Sequence, residues 1–320
     1  MKVSLIVPVY NAEKTLPAML EAISAQTFRD FEVVFANDAS TDGTAALLEA
    51  FGKESGLSCK VLTAAQNGGA AAARNLALEA AEGEYLAFAD ADDLPEPRML
   101  EKAVEAADGA DIVGWDWTLG LQESGRYMRQ ADYATAEQAL LNLTGGTMRW
   151  TLWLFMVRRE LVKDLRFLAG VDMGEDLRYI LLAFLRAKNV AQIHEPLYRY
   201  NNANEASISR TFNDQRRAQV ETNLAAVERE FASSDFLRER PMAITDLKLY
   251  IKRPLLISRH RQDYELWYKW FPEANERAKE KAALPMHTYL VQKLAAGRCW
   301  LGVRIYYLVI HQVLYKLFYR

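Results

Sequence analysis

The sequence predicts an α/β fold with a mostly parallel, doubly wound sheet and a helical C-terminal region. Short apolar runs at Val3–Val9, Phe31–Phe35, Lys60–Leu62 and Tyr85–Ala89 are each followed by apolar residues at helical spacing. Runs of this length are typical of buried strands. Repeated strand–helix units with short turns favour parallel strands, and in such sheets ligands bind at the carboxyl ends of the strands.

Composition narrows the class of protein. The chain has 320 residues, of which 51% are hydrophobic and 25% charged, which suffices for one large core and a small second domain. Its net charge of −3 gives no general attraction to nucleic acid. Cys59 and Cys299 lack metal-type spacing and are interpreted as reduced thiols of a cytosolic protein. The apolar N-terminus is too short for a signal sequence.

Chemically unusual residues follow all four predicted strands. They are Tyr10-Asn11, Asn37-Asp38, Asn67-Gly68-Gly69 and the run from Asp90 to Asp93. Turn chemistry alone explains any one of these groups. Four such coincidences at the same edge of one sheet indicate a ligand site.

The carboxylates Asp90, Asp92 and Asp93 suggest a hard cation. Strand alternation places Asp90 and Asp92 on one side of the chain, where a divalent ion offsets their repulsion. Because Mg²⁺ is often held by only one or two carboxylates, it keeps positions for substrate phosphates, as in a nucleotide diphosphate. The alternative is a turn that caps the next helix.

Two further residues are candidates for nucleotide contact. Asp38 is placed to accept hydrogen bonds from a nucleobase, while Ser40 and Asp42 cap the following helix. Arg74 lies one turn into the next helix and is predicted to reach a base or a phosphate, with an ordinary salt bridge as the alternative. The segment Asn67–Arg74 is neither a Walker loop nor Gly-x-Gly-x-x-Gly, which removes the main support for kinase and dinucleotide-binding classes.

Taken together, these segments resemble glycosyltransferase family 2, a large inverting family with a GT-A fold. The matching segments are Val7–Asn11, Asn37–Gly43, Asn67–Gly69, Ala73–Asn75, Gly83–Asp93 and Gly174–Asp176. The resemblance implies a mixed, mostly parallel sheet flanked by helices, and a nucleotide-sugar site with Mg²⁺ or Mn²⁺. UDP-sugars are the commonest donors in such families. The residues it implies for this site are Pro8, Tyr10 and Asp38 around the base, Arg74 near it, Asp90 at the ribose or metal, and Asp92 as the principal metal ligand.

Inverting transfer also needs a general base for the acceptor hydroxyl. By its match to the family, Asp176 is that base, and Glu175 contacts the acceptor or braces the loop. Both open a predicted apolar helix, Leu177–Leu185, whose N-terminus favours negative charge. The alternative is that Asp172, Glu175 and Asp176 are ordinary first-turn helix charges.

The acceptor side is less sharply defined. Trp150 and Trp153 resemble the family's segment beneath the acceptor and are predicted to stack on sugar rings, with burial in the core as the alternative. Relatives often carry a basic Tyr-Arg-x-His element that closes on the diphosphate. Here Asn202 stands near the place of the histidine, so Arg199 is the predicted substitute.

We predict a GT-A domain over residues 1–210 and a helical region over residues 211–320. Within the first, residues 1–115 bind the nucleotide-sugar and residues 116–210 contribute the acceptor and catalytic part. Residues 281–320 contain no Asp or Glu. The final segment, rich in Trp, Tyr and cations, is predicted to be an amphipathic helix on an anionic membrane surface. A helix packed on the protein or in a dimer is the alternative.

The sequence therefore predicts an inverting, metal-dependent enzyme. It would move a hexosyl or N-acetylhexosaminyl group from a nucleotide-sugar, with UDP favoured, to a glycan or lipid-linked acceptor in cell-surface polysaccharide assembly. The expected place is the cytoplasm, peripheral to the inner face of the cell membrane. The alternatives are a sugar-1-phosphate nucleotidyltransferase, whose Gly-rich Arg-containing loop is absent after the first strand, and a nucleotide-sugar-binding scaffold without catalysis.

Overall fold

The secondary structure alternates strands and helices over the first half of the chain. The computed structural model describes residues 1–122, 124–203, 213–280 and 285–314. The strands are β1 Val3–Val9, β2 Phe31–Asn37, β3 Ser58–Thr63, β4 Tyr85–Phe88, β5 Leu94–Pro95, β6 Ile112–Leu119, β7 Arg126–Met128, β8 Phe155–Arg158 and β9 Val190–Tyr200. The helices are α1 Leu16–Ser24, α2 Thr44–Glu54, α3 Gly69–Ala80, α4 Met99–Ala106, α5 Ala136–Gly145, α6 Glu175–Arg186, α7 Asp214–Ala232, α8 Asp235–Glu239, α9 Ala243–Lys252, α10 Arg261–Lys269, α11 Ala274–Arg277, α12 Met286–Ala296 and α13 Trp300–Tyr306.

The strands of the described residues form one mixed sheet in the order β3-β2-β1-β4-β8-β6-β9-β5, with β7 paired to β6. The pairs β3–β2, β2–β1, β1–β4 and β6–β9 are parallel, whereas β8 is antiparallel to both neighbours. Strands β1, β2 and β4 therefore end at the same edge. This arrangement confirms the predicted fold class of a mixed, mostly parallel sheet flanked by helices.

Pro8 lies in a central strand, where a missing N–H is normally costly. Pairing of β1 with β4 ends at Ile6 and Phe88, although pairing with β2 continues to Val9. The carbonyl of Ile6 accepts from Ala89 on the β4 side, and by alternation Pro8 faces that same side. No ladder hydrogen bond is lost there, so the two strands are free to separate beyond residue 88.

Contacts divide the chain into two compact units. The first comprises residues 1–140 and 149–233, and the second comprises residues 141–148 and those from 234 onward. This division by contacts follows α7, and the predicted GT-A domain over residues 1–210 stays a prediction. The physical reason for the division is that α7 packs on the first unit, where buried Asn223 donates from Nδ2 to the carbonyl of Met173 at 3.1 Å.

The second unit is helical around its own apolar core. Trp267, Leu256 and Val303 are fully buried there. Because Val303 belongs to α13, the start of the C-terminal segment packs on protein, while Leu301 and Ile305 on the same helix are exposed. Residues 315–320 of the predicted membrane segment lie outside the described residues. Over the described part of the chain, no helix is both long and apolar enough to cross a membrane.

Candidate functional site

The predicted donor residues meet at the carboxyl edge of the sheet. Tyr10 follows β1, Asp38 follows β2 and Asp90 follows β4. Tyr10 is 51% exposed, unusual for so large a ring. Its position is fixed by the next residue, Asn11, which has a φ of 45° and whose Oδ1 accepts from the N–H of Thr41 at 2.8 Å. An exposed aromatic ring on a fixed turn is suited to stacking on a flat ligand.

Asp38 organises the loop that begins α3. Its carboxylate is buried and accepts from the N–H groups of Gly68 and Gly69, each at 2.8 Å. Gly69 has a φ of 84°, which favours glycine. Asp42 accepts from the N–H of Thr44 at the start of α2, as the capping interpretation expects. The contact of Asp38 with a nucleobase stays a prediction. Its hydrogen bonds to Gly68 and Gly69 give it a second role, that of holding the loop before α3.

Arg74 connects the two halves of the site. It is 5% exposed and lies within ion-pair distance of three carboxylates: NH2 is 3.1 Å from Asp90 Oδ1, and NH1 is 2.8 Å from Glu175 Oε1 and 3.4 Å from Asp176 Oδ1. The salt-bridge interpretation of Arg74 therefore describes its contacts. Through this one guanidinium, the end of β4 is linked to the beginning of α6.

Glu175 and Asp176 open α6, as the sequence suggested, directly after Gly174 with its φ of 81°. Asp176 Oδ2 also accepts from the N–H of Leu152 at 3.2 Å. Burial raises the pKa of Glu175 to about 8, against the opposing effect of Arg74. Burial likewise raises the pKa of Asp176, while Arg74 opposes the shift. A carboxylate whose pKa is raised but which stays paired with a guanidinium is suited to accept a proton near neutral pH.

The three carboxylates after β4 have different surroundings. Asp93 is fully buried and accepts from the N–H of Asn201 at 2.6 Å. Burial, together with the charges of Asp90 and Asp92, raises its pKa well above the usual value. The hydroxyl of Tyr198 accepts from the N–H of Asp90 at 3.0 Å. Asp93 is thus tied into the fold, whereas Asp90 and Asp92 stay partly exposed.

Asp90 and Asp92 fit a cation that takes much of its coordination from a ligand. Both are hard oxygen donors on one turn, with Asp93 held apart from them. Across the described residues, no group of three or more His, Cys, Asp or Glu side chains is arranged to hold a metal ion. The donor set of this turn therefore suits Mg²⁺ or Mn²⁺ completed by phosphate oxygens and water, not a closed protein cage.

Trp153 forms part of an aromatic cluster. It is 4% exposed, and its ring stacks with those of Tyr198 and Tyr200, with centroid distances of 4.6 and 5.5 Å. Trp117 packs edge-on against Trp153 at 5.3 Å. Trp150 is partly exposed. Contact of Trp150 or Trp153 with a sugar stays a prediction, and for Trp153 it would involve a ring edge because the faces are occupied.

Arg199 faces away from this cluster. Strand alternation places it opposite Tyr198 and Tyr200 on β9, where its guanidinium pairs with Glu96 and donates to the carbonyl of Gln122 at 3.1 Å. A role on the diphosphate stays a prediction, and it requires the pair with Glu96 to open.

One residue that the sequence analysis set aside lies at this edge. Asp172 Oδ1 accepts from the N–H of Ala71 in α3 at 2.8 Å. It lies between Gly170 and Gly174, which both have positive φ, and no signal in its sequence distinguishes it from an ordinary helix charge.

A mixed sheet with these polar side chains at its carboxyl edge matches the arrangement that the resemblance to glycosyltransferase family 2 implies. The sequence profile described as Glycosyl transferase family 2 matches residues 4–166. The chain belongs to that family, and the predicted resemblance is confirmed.

Relatives agree with this assignment. Glycosyltransferase EpsJ of Bacillus subtilis is 30% identical over 209 residues, which cover 62% of this chain and 60% of EpsJ. The poly(ribitol-phosphate) beta-N-acetylglucosaminyltransferase TarS of Staphylococcus aureus is 30% identical over 212 residues, which cover 64% of this chain and 36% of TarS. The matched region therefore falls short of two thirds of either relative's length.

Solved structures show the same fold. S. aureus TarS residues 1–349, in complex with UDP-GlcNAc, superpose with a TM-score of 0.71 at 21% identity, covering 100% of this chain and 93% of that one. The mannosyltransferase PcManGT from Pyrobaculum calidifontis, in complex with GDP-Man and Mn²⁺, gives a TM-score of 0.58 at 21% identity, covering 99% and 87%.

Proposed function

We propose that the protein is an inverting, metal-dependent glycosyltransferase that uses a nucleotide-sugar, with UDP-sugars favoured, and a glycan or lipid-linked acceptor. The observation that carries the proposal is the contact of Arg74 with Asp90 on one side and with Glu175 and Asp176 on the other. The Arg74 guanidinium thereby contacts both a donor-side carboxylate and the candidate base.

On the donor side, Pro8, Tyr10 and Asp38 would surround the base. Tyr10 offers an exposed ring, and each Asp38 oxygen keeps a lone pair beyond its backbone contact. The similar structures carry UDP-GlcNAc in one case and GDP-Man in the other, so the base and the sugar are open to test.

Asp90 and Asp92 would hold Mg²⁺ or Mn²⁺. When bound, such an ion neutralises the charge of the leaving diphosphate. Asp90 is also held by Arg74, and its N–H is held by Tyr198, so its carboxylate is fixed before ligand arrives. Fixing such groups in advance reduces the reorganisation needed during reaction.

Asp176 would remove the proton from the acceptor hydroxyl as this oxygen attacks the anomeric carbon from the face opposite the diphosphate. The new bond forms to the acceptor oxygen, the bond to the diphosphate oxygen breaks, and the proton passes to Asp176. Glu175, on the same guanidinium, would brace the loop or contact the acceptor. Trp150 and Trp153 would contribute to the acceptor side.

The setting we propose is the cytoplasmic face of the cell membrane in polysaccharide assembly. TarS, by its name, acts on poly(ribitol-phosphate), a polymeric acceptor. In the second unit, Leu301 is 72% exposed, Ile305 52%, and Leu308 and Val309 each 47%. Their spacing matches one helix face, opposite buried Val303. Lys293, Arg298 and Arg304 are exposed in the same stretch of sequence, which has no carboxylates.

Vesicle sedimentation tests the membrane part. We expect binding to anionic vesicles that weakens with salt, since each nearby cation contributes about 1 kcal/mol. The double variant Leu301→Glu, Ile305→Glu should lose this binding, whereas Ile257→Glu, at a residue 46% exposed in the same unit, should retain it. Point charges are preferable to deletion because Val303 is part of the core. No lipid-dependent pelleting of the unchanged protein would contradict this part.

Calorimetry with a panel of UDP-, GDP- and dTDP-sugars, with and without Mn²⁺, tests the central proposal. We expect one nucleotide to bind in a metal-dependent way, and Asp92→Asn to lose the metal dependence while the fold survives. A turnover assay with that donor then separates an enzyme from a binding scaffold. If Mn²⁺ strengthened nucleotide binding by Asp92→Asn as much as by the unchanged protein, the metal assignment would be rejected.

A further inference from the structure

The segment leading into α6 lacks regular secondary structure although it ends two residues before the candidate base, Asp176. We call residues 167–174 the α6 arm. Its Gly170 and Gly174 have φ values of 74° and 81°. Loops of this kind vary more in position than helices do. Side-chain contacts must therefore fix where Asp176 lies.

The arm is fastened to α3 at two places. At its beginning, Asn75 exchanges two hydrogen bonds with the backbone of Phe167, at 2.9 and 2.8 Å. Further along, Asp172 Oδ1 accepts from the N–H of Ala71 at 2.8 Å. A Cβ added at Gly69, the first residue of α3, would lie 2.1 Å from Asp172 Oδ2, so the beginning of α3 has room for this carboxylate only because residue 69 is glycine.

The other side of the arm is held by α7. Gln219 Nε2 donates to the carbonyl of Gly170 at 3.0 Å, and Asn223 Nδ2 donates to that of Met173 at 3.1 Å. Asn223 is fully buried. The arm thus lies between two helices, with its backbone carbonyls bound by α7 and the side chain of Asp172 bound by α3.

We infer that Asp172 is a positioning residue for the candidate base, an inference that rests on the proposed function of Asp176. Ala71 and Arg74 are three residues apart in α3, close to one helical turn. Asp172 contacts the first and Asp176 the second, so α3 is bound just before the beginning of α6 and again at its second residue. With the contacts of Asn75, Gln219 and Asn223 holding the rest of the α6 arm, the Asp172 contact fixes the approach of its last turn to α3.

The location of Asp172 explains why a carboxylate is used. The first N–H groups of a helix have no partner within the helix and carry partial positive charge. Asp172 satisfies one of them and Asp38 binds the two N–H groups just before it. Displacing a base by about 1 Å can lower a reaction rate by on the order of 10². The hydrogen bond from Ala71 to Asp172 therefore affects the rate of transfer directly.

Kinetics of Asp172→Ala, Asp172→Asn and Asp164→Ala test the inference. Asp164 is exposed, pairs with Arg186 and is the matched control. We expect Asp172→Ala to lower kcat for transfer about 10- to 100-fold, with donor KM changed less than about twofold. The amide oxygen of Asp172→Asn still accepts from Ala71, so this variant should recover most of the rate. The control should match the unchanged enzyme.

Two kinetic outcomes would overturn the inference. If Asp172→Asn lost as much rate as Asp172→Ala, keeping the hydrogen bond from Ala71 would not preserve the position of the base, and the inference would fail. If both variants kept full kcat, the arm would be positioned without it.

Hydrogen exchange of residues 167–174 provides a test that does not depend on turnover. We expect faster exchange in Asp172→Ala at an unchanged melting temperature, with no such change in Asp164→Ala. Unaltered exchange would refute the fastening role even in an active enzyme. Absence of turnover by the unchanged protein with every donor would instead reject the proposed function, and the exchange result would still decide what Asp172 holds.

Discussion

Two buried cations in this protein have opposite surroundings. Arg74, in the first unit, lies among three carboxylates: Asp90, Glu175 and Asp176. Lys252, in the second unit, donates to neutral oxygens only, the carbonyls of Trp270 and Phe271 and Oδ1 of Asn275, at 2.9, 3.1 and 2.7 Å. Its ammonium also lies 4.1 Å from the centroid of the Trp267 ring.

This difference in surroundings distinguishes the candidate functional site around Arg74 from the structural role of Lys252. Three carboxylates on one guanidinium leave an excess of negative charge, which favours taking up a proton or a metal ion. Neutral acceptors around one ammonium create no such demand, and they fix the turn at Phe271, whose φ is 53°. In this protein a buried cation therefore indicates a candidate functional site only where carboxylates outnumber it.

The largest expected effect is at the candidate base. Asp176→Asn keeps the size of the side chain and removes its ability to accept a proton. Transfer should fall by roughly 10² to 10⁴, with nearly normal donor binding. Steady-state kinetics and calorimetry measure the two quantities. Near-normal transfer by Asp176→Asn would show that another residue is the base and that the excess of carboxylates around Arg74 serves another function.

Arg74→Lys tests whether the guanidinium itself is needed. A lysine ammonium is a point charge that cannot bridge Asp90 and the Glu175–Asp176 pair in one plane. We expect kcat to fall about 10- to 100-fold. Weaker pairing also raises the pKa of the base further, so the acid limb of the kcat/KM profile should move to higher pH. An unmoved limb would mean that Arg74 does not influence the base.

Lys252→Met should affect stability alone. Removing the ammonium takes a donor from the carbonyls of Trp270 and Phe271 and from Oδ1 of Asn275, of which Phe271 keeps the N–H of Ala274, at a cost of about 1–3 kcal/mol. Scanning calorimetry should show a lower melting temperature, while kcat per folded molecule stays unchanged. A loss of kcat in the folded variant would contradict the division between the two cations.

The smallest effects concern how stability varies with pH. The pKa of Glu175 is raised from 4.5 to about 8, so the folded state binds more protons in that window and its free energy of unfolding falls as pH rises. The pKa of Lys252 is lowered from 10.5 to about 7, so between those values the folded state binds fewer protons and stability rises with pH. Melting temperatures of Glu175→Gln should be flatter only in the lower window, and those of Lys252→Met only in the upper one. A uniform shift in either variant would argue against these assignments.

Much of the fold could be predicted from the sequence because β1, β2 and β4 are buried on both faces and form continuous apolar runs, while β3, at the edge of the sheet, is only half-buried and gives a shorter run. The beginning of α6 at Glu175 was predictable for a similar reason, since two acidic residues precede an apolar period. The end of the first unit was not. The contacts of Gln219 and Asn223 with the α6 arm join segments about 50 residues apart, and no local pattern records them.

The residues of the candidate site were likewise predictable only where a local sequence pattern marks them. Asp38, Asp90, Asp92 and Asp176 stand next to strand ends or helix starts and could be found by position. The partners of Arg74 could not, because they come from two other elements. Asp172 was indistinguishable from an ordinary helix charge until its carboxylate was seen on Ala71.

Pro8 has a consequence for how the site stays accessible. In most parallel sheets neighbouring strands pair along their full length and hide their ends. Here one residue without an N–H stops β1 and β4 from pairing further, which leaves the chain after residue 88 free to turn outward and present Asp90 and Asp92. The separation of β1 and β4 therefore follows from the chemistry of the proline in the backbone. It does not require a moving lid or a strained loop to persist before a ligand binds.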